Sequence, residues 1–163
     1  MTTAEIQETY VETQDVAAPL VAQQGAISFY LSALLFSAAL ICFAGGLMAD
    51  LAYVNDPDIA WSNFSTWLLA FGEFFVALVI LFGILGFLFR FGARRTGTSW
   101  LYALLVIAAA VAGLFDNFIH THDGWTSVWS TGLALSVLTV GLLVFALLIK
   151  LARLSNTYLV EAE

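Results

Sequence analysis

Where the third long apolar stretch of this chain ends, the sequence reads Leu114-Phe-Asp-Asn-Phe-Ile-His-Thr-His-Asp-Gly-Trp125, and both histidines of the protein fall within it. Imidazole and carboxylate groups at this density can bond to one another or bind a cation. Asp116 and His120 are four residues apart, so on a helix they share a face and their side chains meet. His120 and His122 are two apart and project to opposite sides unless the backbone unwinds after Ile119, which Gly124 allows. Two arrangements follow. In the expected one the run is a polar cap, with Asp116 accepting a bond from His120 and with His122 and Asp123 as solvated link residues. In the alternative, Asp116, His120, His122 and Asp123 form a metal site, joined by the acidic Asp50 from the end of the first apolar stretch. Imidazole plus carboxylate suits zinc, copper, iron or manganese, and Asp116 then either ligates or orients His120.

A second polar group, Glu73, lies inside an apolar stretch, some eight residues or ~12 Å from its start at one helical rise per residue. No Lys or Arg lies at its level, and an isolated charge at such depth is expensive. A neutral carboxyl hydrogen-bonded to a neighbouring helix is therefore expected, with Ser136 the nearest partner by depth; contact with another chain and proton or ion handling are the alternatives. A transmembrane b-type haem needs histidines from facing helices, which one His-Thr-His run cannot supply, so no intrinsic haem and no other cofactor is expected. Cys42 is the single cysteine and reads as a packing residue, leaving no intrachain disulfide and no cysteine cluster. The chain has no phosphate-binding loop, dinucleotide glycine pattern, nucleophile elbow or His-Glu-x-x-His run, so a non-enzymatic role is expected.

The elements that must position these groups are set by composition. With 61% hydrophobic and 10% charged residues and a mean hydropathy of +0.94, the chain is far more apolar than a soluble domain. Its net charge of −7 argues against nucleic acid and against a basic anchor to anionic lipid. Four apolar segments, at about 27–48, 65–89, 99–118 and 127–149, each approach the ~20 residues that cross a bilayer as a helix. None alternates as a barrel strand would, so the predicted fold is all-α, a four-helix transmembrane bundle. It occupies residues 25–153, after an acidic mobile tail over 1–24 and before a short cytoplasmic tail over 154–163.

All five basic residues fall at one end of that bundle: Arg90, Arg94 and Arg95 between the second and third segments, Lys150 and Arg153 after the fourth. By the positive-inside rule both termini are cytoplasmic, and the His-Asp run is an outer mouth. Trp61, Trp67, Trp125 and Trp129 flank that mouth, and Trp100 and Tyr102 the inner face, as interfacial aromatics do. Ala38, Cys42 and Gly46 in the first segment, and Ala108, Ala109, Ala112 and Gly113 in the third, let helix backbones approach closely. The phenylalanines of the second segment are expected to face lipid.

The stretches Ala49-Asp-Leu-Ala-Tyr53, Ile59-Ala-Trp-Ser-Asn-Phe-Ser-Thr-Trp-Leu-Leu-Ala70, Phe118-Ile-His-Thr-His-Asp-Gly-Trp-Thr-Ser127 and Thr131-Gly-Leu-Ala-Leu-Ser136 resemble the bacterial domain-of-unknown-function family 2231, over roughly residues 27–149. The resemblance implies a multi-pass four-helix protein of the bacterial inner membrane. Because relatives occur fused or adjacent to dehydrogenases and c-type cytochromes, it also implies a structural, assembly or anchor subunit of a membrane complex, possibly a redox one. Its partners would be the bilayer and another membrane protein or a second copy. Ion or metal handling at the His/Asp mouth is the alternative role. Many relatives carry an early His-Pro where this chain has Gln24-Gly-Ala-Ile27, so a ligand role for that histidine does not carry over.

The topology has a direct check. With Cys42 replaced, a cysteine introduced at Thr121 should react with an impermeant label from the outer side; labelling only from the cytoplasmic side would reverse the assignment.

Overall fold

The computed structural model describes residues 30–89, 97–121 and 131–161, with side chains over 30–88, 100–121 and 131–153. Four helices run through them: α1 (Tyr30–Asn55), α2 (Ile59–Phe89), α3 (Gly97–His120) and α4 (Leu133–Glu161). Each contains a span long and apolar enough to cross a bilayer, ending at Leu88 in α2 and at Arg153 in α4 and starting at Trp100 in α3. The architecture is the all-helical, four-span one expected from the sequence. The acidic segment 1–24, the Arg90, Arg94 and Arg95 link, and His122, Asp123, Trp125 and Trp129 lie outside the described residues.

The chain divides into two compact units, residues 1–34 and 35–163. Of the first, only the opening turn of α1 is described, and it is helical. The second contains the remainder of α1 and the other three helices.

Helix ends differ from the apolar boundaries, α4 running on to Glu161, and the two ends at the first link have a local cause. Apolar residues thin out after Met48, yet α1 continues to Asn55, and α2 begins at Ile59 rather than near Ser65. Local capping closes both ends. Asn55 Nδ2 donates to the Leu51 carbonyl at 2.7 Å, and Asp56 N donates to the Ala52 carbonyl at 2.9 Å. Pro57 then stands outside both helices, where its missing N–H costs nothing. Asp58 caps α2: its Oδ1 accepts from Ala60 N at 2.9 Å and its carbonyl from Trp61 N at 3.0 Å. Three residues therefore join the helices, too short a link for anything but an antiparallel turn.

Each helix buries one seam at alternating steps of three and four residues, the geometry of helices packed at a shallow angle. In α1 it runs through Phe36, Ala39, Phe43, Gly46, Asp50 and Tyr53. In α2 the seam is Ser62, Ser65, Leu69, Gly72, Val76 and Val79. Val106, Ala109, Gly113, Asp116 and His120 form it in α3, and Ser136, Thr139, Leu143 and Ala146 in α4. Of the small residues expected at the α1 interface, Gly46 is buried, whereas Ala38 and Cys42 are half-buried at its edge. The remaining surface carries large apolar side chains, among them Trp67, Phe71, Phe74, Leu104 and Phe145, as a face toward acyl chains would.

Phe43 is the centre of this packing. Its ring is wholly buried and lies where Cβ atoms would stand on two other helices, 3.0 Å from that position at Gly72 of α2 and 2.8 Å from it at Gly113 of α3. Two glycines thus form the hole for one aromatic knob, and since lipid is as apolar as the core, this fit rather than burial from water holds the helices. Toward the other end, Lys150 Nζ stands 5.9 Å from the Phe36 ring centroid and Tyr102 packs on the same ring at 6.1 Å.

Gly113→Ala should accordingly be costly, by about 1–3 kcal/mol as for an overpacked core. Gly83→Ala should not be, because nothing lies within 4 Å of its added methyl. Thermal unfolding in detergent compares the two, and equal midpoints would remove Phe43 from the centre of the packing.

Candidate functional site

In all four helices the seam turns polar at the same end. Asp50 from α1, Ser62 and Ser65 from α2, Asp116 and His120 from α3, and Ser136 and Thr139 from α4 are all buried there. The register that places them is the one set by Phe43. Residue 43 of α1 lies against residue 113 of α3, and residue 50, two helical turns on, meets residue 120.

His120 is bonded through both ring nitrogens. Nδ1 donates to the Asp116 backbone carbonyl at 3.0 Å, one turn back, and Nε2 lies 3.0 Å from Asp50 Oδ1. The Asp116 carboxylate is beside the ring, with Oδ1 3.2 Å from Nδ1. Ser136 Oγ closes the cluster, 2.6 Å from Asp50 Oδ2 and 2.6 Å from Asp116 Oδ2. Four side chains on three helices therefore form one connected network, and its 2.6 Å contacts fall in the range of charge-assisted O–H···O bonds. Asp50 and Asp116 are wholly buried and His120 is 5% exposed.

These distances revise the expected polar cap. Asp116 and His120 do share a face and do meet, and Asp50 joins them, but the three are enclosed between helices rather than solvated at a rim. The reason is the length of α1, whose extra turns past Met48 carry Asp50 alongside α3 and α4. As for a metal, both ring nitrogens of His120 face other groups, and among the described residues no three or more His, Cys, Asp or Glu side chains are placed to hold an ion. His122 and Asp123 lie outside the described residues.

The pairing of Glu73 with Ser136 is also revised. Depth counting places the two at a similar level, but their contacts on α3 differ: Ser136 Oγ meets Asp116, whereas Glu73 lies beside Gly113, about one turn deeper. Ser136 belongs to the aspartates. Glu73 instead reaches across to α3, where Oε2 lies 2.9 Å from the position a Gly113 Cβ would take; that oxygen is buried with no hydrogen-bond partner. The expected bond to a neighbouring helix is not made, and the contact is with a glycine backbone that leaves room for a carboxyl.

Ser62, Ser65 and Thr139 were not singled out from composition, because hydroxyl residues are common in apolar helices and often bond back to their own backbone. Their signal was position: each falls on the same three-four seam as Asp50, Asp116 and Ser136. Ser65 Oγ, Thr139 Oγ1 and Asp116 Oδ1 are buried without hydrogen-bond partners.

Side-chain deletions should rank by what they strand. Asp50→Ala leaves His120 Nε2 and Ser136 Oγ facing an apolar gap and should cost about 3–5 kcal/mol, as when one partner of a buried ionisable pair is lost. Ser136→Ala removes one hydroxyl and should cost about 1–3 kcal/mol. Asp56→Ala, in the exposed link, should leave the midpoint unchanged. Thermal unfolding in detergent gives the order, and a wild-type midpoint for Asp50→Ala would show that the network does not tie the helices.

Among known proteins, no curated protein and no solved structure matches the chain. One family does, described as "Predicted membrane protein (DUF2231)", over residues 31–149, which is more than half the chain and covers all of α2 and α3 and most of α1 and α4. The matched region holds the Phe43 packing centre and every member of the buried polar network, so this four-helix membrane protein belongs to the DUF2231 family of predicted membrane proteins.

Proposed function

We propose that the chain is a non-catalytic membrane subunit, an anchor or assembly module for a larger membrane complex, with both termini cytoplasmic in a bacterial inner membrane. One observation carries the reading: Asp50, Asp116, His120 and Ser136 are spent on one another in a network that ties α1, α3 and α4 together. An acid–base or nucleophilic site keeps at least one such group turned toward substrate. Here those groups face inward, and a bundle with a broad apolar exterior suits a scaffold.

The orientation rests on charge. Lys150 stands near Phe36, some fourteen residues or ~21 Å along α1 from Asp50, so the described basic residues of α4 lie toward the end opposite the acidic network. Arg90, Arg94 and Arg95 fall between α2 and α3 in sequence.

Purification from native membranes in mild detergent tests the role. A membrane protein should accompany the chain at fixed stoichiometry and be lost from it in Asp50→Ala, which loosens the bundle, but not in Asp56→Ala. A chain that purifies alone from native membranes, or that turns over a substrate by itself, would overturn the reading.

A further inference from the structure

The network contains more hydrogen-bond contacts than its obvious protons can serve. Ser136 Oγ carries one hydrogen but lies 2.6 Å from a carboxylate oxygen on each side. It can donate to only one of them. The other contact, if both carboxyls were ionised, would set two oxygen acceptors together at hydrogen-bond distance with nothing between them. His120 raises the same difficulty. Its Nδ1 faces a backbone carbonyl, which can only accept, so the Nδ1 hydrogen is used there and a neutral ring has a bare lone pair at Nε2. That lone pair lies 3.0 Å from Asp50 Oδ1, again two acceptors face to face.

From this geometry we propose that the Asp50–His120–Asp116–Ser136 network is a proton-binding site that holds two protons beyond the Ser136 hydroxyl and His120 Nδ1 hydrogens. One lies between Nε2 and Asp50 Oδ1. The other lies on whichever carboxyl donates to Ser136 Oγ. The charge balance gives the arrangement its physical sense. Two carboxylates, a neutral imidazole and a hydroxyl carry two negative charges; two added protons bring the network to zero. Both distributions of the first proton reach it: imidazolium with one carboxylate and one acid, or neutral imidazole with two acids. A site enclosed between helices favours zero net charge, because an uncompensated charge there loses its hydration with nothing in return.

Among the described residues, the surroundings supply no other counter-charge. From α1 the nearest further titratable side chain is Tyr53, a buried phenol one turn beyond Asp50. From α2 only the hydroxyls of Ser62 and Ser65 are buried at this end, and Glu73 lies deeper, against Gly113. From α4 Ser136 joins the network, and Thr139, one turn on, is buried with an unbonded hydroxyl. Asp56 and Asp58 are exposed in the link, and their acids would add negative charge rather than offset it. Among the described residues, no Lys or Arg stands at this end to take the place of the two protons. The proposal concerns only what the network binds and holds whether or not the bundle serves a partner.

Infrared spectroscopy of the full chain in lipid nanodiscs at neutral pH tests it, in a Glu73→Gln background that silences the other intramembrane carboxyl. A carboxylic-acid carbonyl band above the amide region, shifted in heavy water, is expected, and it should vanish or move in Asp50→Asn or in Asp116→Asn. Nitrogen NMR of the same protein carrying His122→Gln, so that His120 is the sole histidine, completes the count: a doubly protonated ring with one acid band, or a neutral ring with two. Absence of any acid band in the folded Glu73→Gln protein overturns the proposal. So does a band unchanged in both Asn variants, and one acid beside a neutral ring reduces the count to one proton and refutes it.

Discussion

Asp50 lies where water cannot reach it, and whatever satisfies its carboxyl must come from another helix. That constraint shapes one whole end of the molecule. His120 meets one oxygen and Ser136 the other, so α1 is tied to α3 and to α4 through a single side chain. Asp116 then bonds to the same serine from α3, and the tie between α3 and α4 closes the circuit. In a soluble bundle such a cluster competes with the gain from burying apolar residues in its place. In a bilayer the apolar alternative gains little, because lipid already surrounds the helices with hydrocarbon, and polar contacts become a principal means of choosing partner and register.

The network depends in turn on a purely steric fit further along the bundle. Phe43 seats over Gly72 and Gly113, and this contact fixes how α1 slides against α2 and α3. Two helical turns separate Phe43 from Asp50, as they separate Gly113 from His120. A slip by one residue at the ring would carry the carboxyl out of reach of the imidazole. Glycine is needed at residue 113 for a second reason, since the same open space receives the Glu73 carboxyl. The apolar centre and the polar end are therefore one register, secured at two points.

Glu73 and the Asp–His–Ser network are two different answers to placing acids in a membrane. The aspartates are wholly enclosed and bonded across helices. Glu73 is half-buried at the seam of α2 and α3, with one oxygen buried and unbonded. Isolated polar atoms of that kind are uncommon in native interiors, where a water molecule or a partner normally completes them. Ser65 Oγ and Thr139 Oγ1 share that condition nearer the network, so the unmet hydrogen-bonding capacity is spread along the bundle.

The amino-acid sequence by itself determined the class, the four spans and the end at which chemistry would gather, because hydrocarbon thickness sets a minimum apolar length and charged residues seldom enter it. It also put Asp116 and His120 on one face, since a spacing of four is local geometry. It could not determine which face of each helix was internal. Phe71 and Phe74 point outward while Phe43 points inward, and all are equally apolar, so hydropathy cannot separate lipid from core. Nor could apolar boundaries reveal that α1 runs on to Asn55. That end is closed by local caps, and bonds across helices place Ser136 with Asp50 and Asp116 rather than with Glu73. Enclosure of the aspartates, the bond between Asp50 and His120 and the bridging role of Ser136 join residues up to 86 apart in the chain. Such contacts exist only once the helices have packed, and only the tertiary structure could place them.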